Sequence, residues 1–60
     1  MSARSILITG AGSGIGAGIA VELAAQGHHL ILTDRAAAPV EALAAEIVAK
    51  GGSAEGHALD

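Results

Sequence analysis

Two hydrophobic periods alternate along these 60 residues. Ser5-Ile6-Leu7-Ile8-Thr9 is short, apolar and unbroken by polar alternation, the pattern of a strand buried on both faces of a parallel sheet. Glycines at 10, 12, 14, 16 and 18 then break it. From about Ile15 the period lengthens: Ile15, Ile19 and Leu23 lie four apart with Ala20 and Ala24 beside them, and Gly27 is placed to cap the predicted helix. Leu30 to Thr33 returns to the strand pattern and ends at Asp34. Arg35 to Ala38 links it to Pro39, which favours a helix's first turn. Val40, Leu43, Ala44, Ile47 and Val48 then mark a second helical stripe, with Glu41 and Glu46 on its outer face. Lys50 falls in the last turn, where a cation suits the helix dipole, and Gly51-Gly52 stops the helix. Ala54 to Leu59 is a weaker strand pattern, interrupted by Gly56.

Strand, helix, strand, helix, strand is an α/β order. Crossovers between parallel strands are almost always right-handed, so the pattern predicts one βαβαβ unit, half of a doubly wound parallel sheet.

Composition makes that half look like part of something larger. The chain has no Cys and no aromatic residue, and 15 of its 60 residues are Ala, which buries little area. So short a chain without disulfide or metal seldom closes a core alone. Residues 1–60 are therefore expected to be the N-terminal part of a single larger domain.

Charge narrows the partners. The net charge is −3, with only Arg4, Arg35 and Lys50 positive, so no basic stripe exists for nucleic acid. The three His are not spaced as a zinc site, and no metal is expected. Ile6-Leu7-Ile8 is too short for a secretory core, and no apolar run approaches the roughly 20 residues that span a bilayer. The absence of Cys fits a reducing compartment, and a cytoplasmic location is expected.

The chemistry lies in Thr9-Gly10-Ala11-Gly12-Ser13-Gly14-Ile15-Gly16, between the first strand and the first helix. A helix N-terminus offers unpaired N–H groups and partial positive charge, a ready anion site. Phosphate reaches those groups only where no Cβ intervenes, and the chain must turn sharply to present them; both demands select Gly. Asp34, at the carboxyl end of the second strand, is then positioned to accept both hydroxyls of an adenosine ribose. A P-loop is excluded because no Gly-Lys-Ser/Thr follows, and the strict G-x-G-x-x-G spacing fits poorly. Plainer readings stand beside these: the glycines as a bare turn, Asp34 as a cap, Arg35 as a solvated charge, Gly18 as helix packing and Asp60 as a frayed end.

Thr9-Gly10-x-x-x-Gly14-Ile15-Gly16 resembles the T-G-x-x-x-G-I-G pattern of short-chain dehydrogenases/reductases, in the spacing of the family's single-domain branch. The likeness continues through L-T-D-R at 32–35, A-A-E-I-V-A-K-G-G at 44–52 and A-L-D at 58–60. It implies a Rossmann-type fold and an NAD(P)-dependent oxidoreductase that moves a hydride between nicotinamide and an alcohol or ketone. By that resemblance Gly10 and Gly14 line the adenosine and pyrophosphate, Gly16 packs the helix on the sheet, and Ile15 donates its N–H near the nicotinamide side. Ser13 lies by the adenosine ribose, Asp34 holds the ribose hydroxyls, Arg35 lies along the adenine, and Asp60 meets the adenine amino group. Thr9 is expected to tie down the turn with its hydroxyl. The family's catalytic Ser, Tyr-x-x-x-Lys and Asn have no counterpart in these residues, so no catalytic residue is assigned. The family also commonly forms dimers and tetramers, which implies a homo-oligomer.

Asp34 attracts ribose hydroxyls and repels a 2′-phosphate, so NAD is expected over NADP, although Arg35 could pair with a phosphate if Asp34 turned away. Two other functions share these features. A dinucleotide sensor or scaffold without catalysis would look the same over this half. A methyltransferase would fit Gly10, Gly12 and Gly14, but it calls for an acidic residue before them, where this chain has Ile8-Thr9.

Overall fold

The computed structural model describes residues 4–59. Its elements alternate as β1 (Ser5–Thr9), α1 (Gly14–Ala25), β2 (His29–Asp34), α2 (Ala37–Ala49) and β3 (Ser53–Ala58). The three strands form one parallel sheet in the order β1-β2-β3, with Leu7 opposite Ile31 and Ile31 opposite Glu55. This is the expected βαβαβ unit of Rossmann type.

One core holds it together. Leu30 and Leu32 of β2 and Val40 of α2 are fully buried, each contributing about 1.5–3 kcal/mol by removal from water. Ala11, Ala20, Ala44 and Ile47 complete the buried set, and Ile6, Ile8 and Ala54 pack against it. Alternate positions of all three strands therefore point into one layer shared with both helices, and the helices lie on the same face of the sheet.

This departs from the expectation of strands buried on both faces. β1 alternates, with Ile6 and Ile8 turned inward and Leu7 61% exposed. No described element covers the opposite face, so the unbroken apolar run of β1 has only half its surface buried.

α1 also turns a different face inward from the one its isoleucines predict. Gly16 and Ala20 are buried, whereas Ile15 and Ile19 are 81% and 51% exposed. The cause is Gly16: a Cβ there would run into the Gly10 carbonyl and the Ala11 Cα, so the bare backbone of α1 sits against the end of β1 and sets the helix's rotation. Gly18 packs against nothing, since a Cβ added to it meets no atom within 4 Å. In α2 the expected stripe holds through Val40, Leu43, Ala44 and Ile47, while Val48 is turned to solvent.

Gly56 does not interrupt β3. A Cβ there would lie 2.5 Å from the Val40 carbonyl oxygen, so glycine lets the backbone of α2 settle directly on the strand. Both helices stop as expected: Gly27 and Gly51 take positive φ and donate N–H to the Ala24 and Val48 carbonyls. Among the described residues no helix is long and apolar enough to cross a membrane.

Candidate functional site

β1 ends at Thr9, and the chain reverses through Gly10, whose φ of 68° is a conformation L side chains disfavour. Ala11 N–H donates to the Thr33 carbonyl at 3.0 Å, fastening the turn to the end of β2. Ser13 then closes it in two ways. Its hydroxyl donates to the Gly10 carbonyl at 2.9 Å and accepts from Gly16 N–H at 3.1 Å, making Ser13 the N-cap of α1. Thr9 was expected to tie down the turn, but Ser13 performs that task.

Ala17 N–H donates to the Ser13 carbonyl and Gly16 N–H to its hydroxyl, which leaves the Gly14 and Ile15 amides at the open end of α1, where helix geometry supplies no partner. The space beside Gly14 is empty: a Cβ there meets no atom within 4 Å. Glycine at 14 is thus not demanded by the protein's own packing, unlike glycine at 16. Room and free donors together suit an anion approaching the helix end.

Asp34 terminates β2 beside this turn and is half-buried. Its Oδ2 accepts from Gly12 N–H at 2.8 Å and its Oδ1 from Arg35 N–H at 2.7 Å. An ionised carboxylate has about four acceptor positions, so two backbone donors fix its orientation and still leave capacity for hydroxyls. Around it lies a shallow depression of about 340 Å³, lined by Thr9, Gly10, Thr33, Asp34, Arg35 and Leu59. It sits at the carboxyl ends of the strands, where ligands bind in open α/β sheets. Asp60 falls outside the described residues. The residue missed by sequence reasoning is Gly12; a fourth glycine in a stretch whose pattern leaves its position free is the available signal.

Two features lie elsewhere. Among the described residues no group of three or more His, Cys, Asp or Glu is placed to hold a metal. On the open face of the sheet, the Glu55 carboxylate accepts from His57 Nε2 at 2.7 Å and His29 Nε2 at 2.9 Å. Hydrogen bonding from His57 and then from His29 holds the Glu55 carboxyl below its ordinary range.

The family model for short chain dehydrogenases matches residues 4–60. The Mycobacterium tuberculosis protein named "Probable oxidoreductase EphD" is 44% identical over 55 residues, 92% of this chain and 9% of that protein. A metagenomic short-chain oxidoreductase solved in complex with NADP superposes with a TM-score of 0.91, at 46% identity over 95% of this chain and 26% of that one. The citronellol catabolism dehydrogenase of Pseudomonas aeruginosa superposes with the same TM-score, 0.91, at 51% identity over 95% of this chain and 24% of that one. The chain thus spans about a quarter of these solved proteins and under a tenth of the mycobacterial one.

Proposed function

The chain belongs to the short-chain dehydrogenase family, and on that premise we propose that its glycine turn and Asp34 bind the ADP half of NAD in an oxidoreductase acting on an alcohol or ketone. The observation that carries this reading is the Asp34 carboxylate, fixed by backbone donors at the edge of the depression where β1 and β2 end. When bound, the nicotinamide supplies or accepts the hydride. The residues of this segment bind and orient. Gly14 directs its amide to the pyrophosphate through the empty space beside it, and Ile15 donates its N–H near the nicotinamide side. Gly10 gives the turn its shape, Gly16 packs it, and Ser13 closes the cap beside the ribose.

Selectivity for NAD is the finer part of the proposal. A carboxylate holding two ribose hydroxyls disfavours a 2′-phosphate in the same place. Arg35 lines the same depression, and in this reading it flanks the adenine. Asp60, one residue past Leu59, meets the adenine amino group. The metagenomic relative carries NADP, so the preference for NAD rests on Asp34 and not on family membership.

In this proposal the segment is the first half of one dinucleotide-binding domain, and the other half supplies the catalytic groups. The uncovered sheet face, with Leu7 61% exposed, supports that view. Homo-oligomeric assembly follows from the family resemblance, and a cytoplasmic location from the sequence expectation.

Gly14→Val in the full-length protein tests the turn. The branched side chain occupies space that the protein itself leaves empty, so the fold should survive while dinucleotide binding is lost. Unchanged NADH affinity in a folded Gly14→Val variant would show that the turn does not hold the cofactor.

A further inference from the structure

We propose that Gly12 is a positioning residue for cofactor choice: its N–H and its lack of a side chain hold the Asp34 carboxylate in the orientation that reads the ribose. The inference rests on the assignment of Asp34 to the ribose, and it deepens that assignment.

Four distances carry it. Gly12 N–H donates to Asp34 Oδ2 at 2.8 Å. A Cβ built on Gly12 would lie 2.6 Å from that same oxygen and 3.3 Å from the Asp34 Cγ. It would also lie 3.1 Å from the Cβ of Pro39, in the first turn of α2. Residue 12 is exposed to solvent, but a Cβ on it would crowd both the carboxylate and a rigid proline ring. Of these two neighbours the Pro39 ring is rigid and the Asp34 oxygen is the end of a rotatable side chain. The group able to yield is the carboxylate, by rotation of the Asp34 side chain.

Rotation has a chemical consequence. Oδ2 loses the donor that fixes it, and only the Arg35 N–H, at 2.7 Å from Oδ1, still restrains the group. A carboxylate swung out of the depression no longer presents both oxygens to a ribose diol. Its charge also leaves the place where a 2′-phosphate would sit, and Arg35, on the same wall, becomes the dominant charge there. Gly12 touches neither reacting atoms nor substrate in this scheme; it acts through Asp34.

Titration of the full-length protein with NADH and NADPH tests this on wild type, Gly12→Ala, Asp34→Ala and the double variant. Gly12→Ala should move the NADH:NADPH affinity ratio toward NADPH by about tenfold, the effect of losing one hydrogen bond to a charged group. In the Asp34→Ala background the same substitution should leave the ratio where Asp34→Ala alone puts it. If Asp34→Ala moves the ratio and Gly12→Ala does not, the positioning role is wrong and the ribose assignment stands. If Gly12→Ala shifts the ratio equally in both backgrounds, it acts by another route, and the proposal is likewise overturned. If neither single variant moves the ratio, the ribose assignment itself fails. Should Gly12→Ala not fold, the double variant decides: regained folding shows that the contact is with Asp34, and continued failure contradicts it.

Discussion

Ser13 illustrates how one side chain can serve the fold and the site together. Its hydroxyl caps α1 and ties it to the Gly10 carbonyl, so the turn that shapes the site is also the start of the helix. Ser13→Ala should destabilise the protein by about 1 kcal/mol, the usual value of an N-cap, measured by denaturant unfolding. Loss of less than a few tenths would mean that the Gly10 and Ala11 backbone bonds suffice to hold the turn. Part of this site was legible in the sequence. Physical reasoning connects the glycine-rich turn to phosphate and Asp34 to ribose, and the resemblance to the family singled out Gly10, Gly14 and Gly16 within the turn. The tie between Gly12 and Asp34 was not legible, because it joins residues 22 apart through a backbone N–H that no side-chain pattern announces.

At the scale of elements, their order is readable from periodicity and their bounds, set with the help of Gly and Pro, to within about two residues (α2 begins at Ala37, inside the expected linker), whereas orientation is not. α1 was read by its largest residues, Ile15 and Ile19, yet it packs through Gly16 and Ala20. Small residues allow backbone contact, and in this fold close approach outweighs side-chain size in setting the helix face. The third strand forms as the pattern predicts, but Gly56 does not interrupt it, for the same reason: Gly56 is where α2 meets β3. Two substitutions separate these cases. Gly56→Val should cost about 1–3 kcal/mol through overpacking against the Val40 backbone. Gly18→Ala lies in helix interior with open space around it, and should instead stabilise by about 0.5–1 kcal/mol. Thermal unfolding of both variants checks the pair, and equal signs would contradict this account of the packing.

The open sheet face adds a pH effect at the same scale. With its folded pKa depressed below the ordinary 4.5, Glu55 contributes stability that is present above that value. The contribution fades as pH falls through the lower, folded value, since the unfolded chain takes up the proton first. In the full-length protein Glu55→Gln should therefore flatten the acid limb of melting temperature against pH. An unchanged slope below about pH 4.5 would show that the His57 and His29 contacts do not persist in solution.

Taken whole, the described residues bury one face of a parallel sheet and leave Leu7, Ile15, Ile19 and Val48 in water. Expressed alone they should not form a cooperative monomer. A sharp, concentration-independent thermal transition with native sheet content would contradict the proposal that the segment is half of a domain. The central claim concerns what the turn and Asp34 bind, and calorimetric titration of the full-length protein with NAD and NADP, wild type against Asp34→Ala, tests it most directly. The account predicts that wild type binds NAD more tightly and that Asp34→Ala weakens NAD by about 1.5–3 kcal/mol at most while improving NADP relative to it. A wild type that already prefers NADP, or a variant that leaves the ratio unmoved, would contradict the assignment of Asp34 to the ribose and make Arg35 the leading specificity residue.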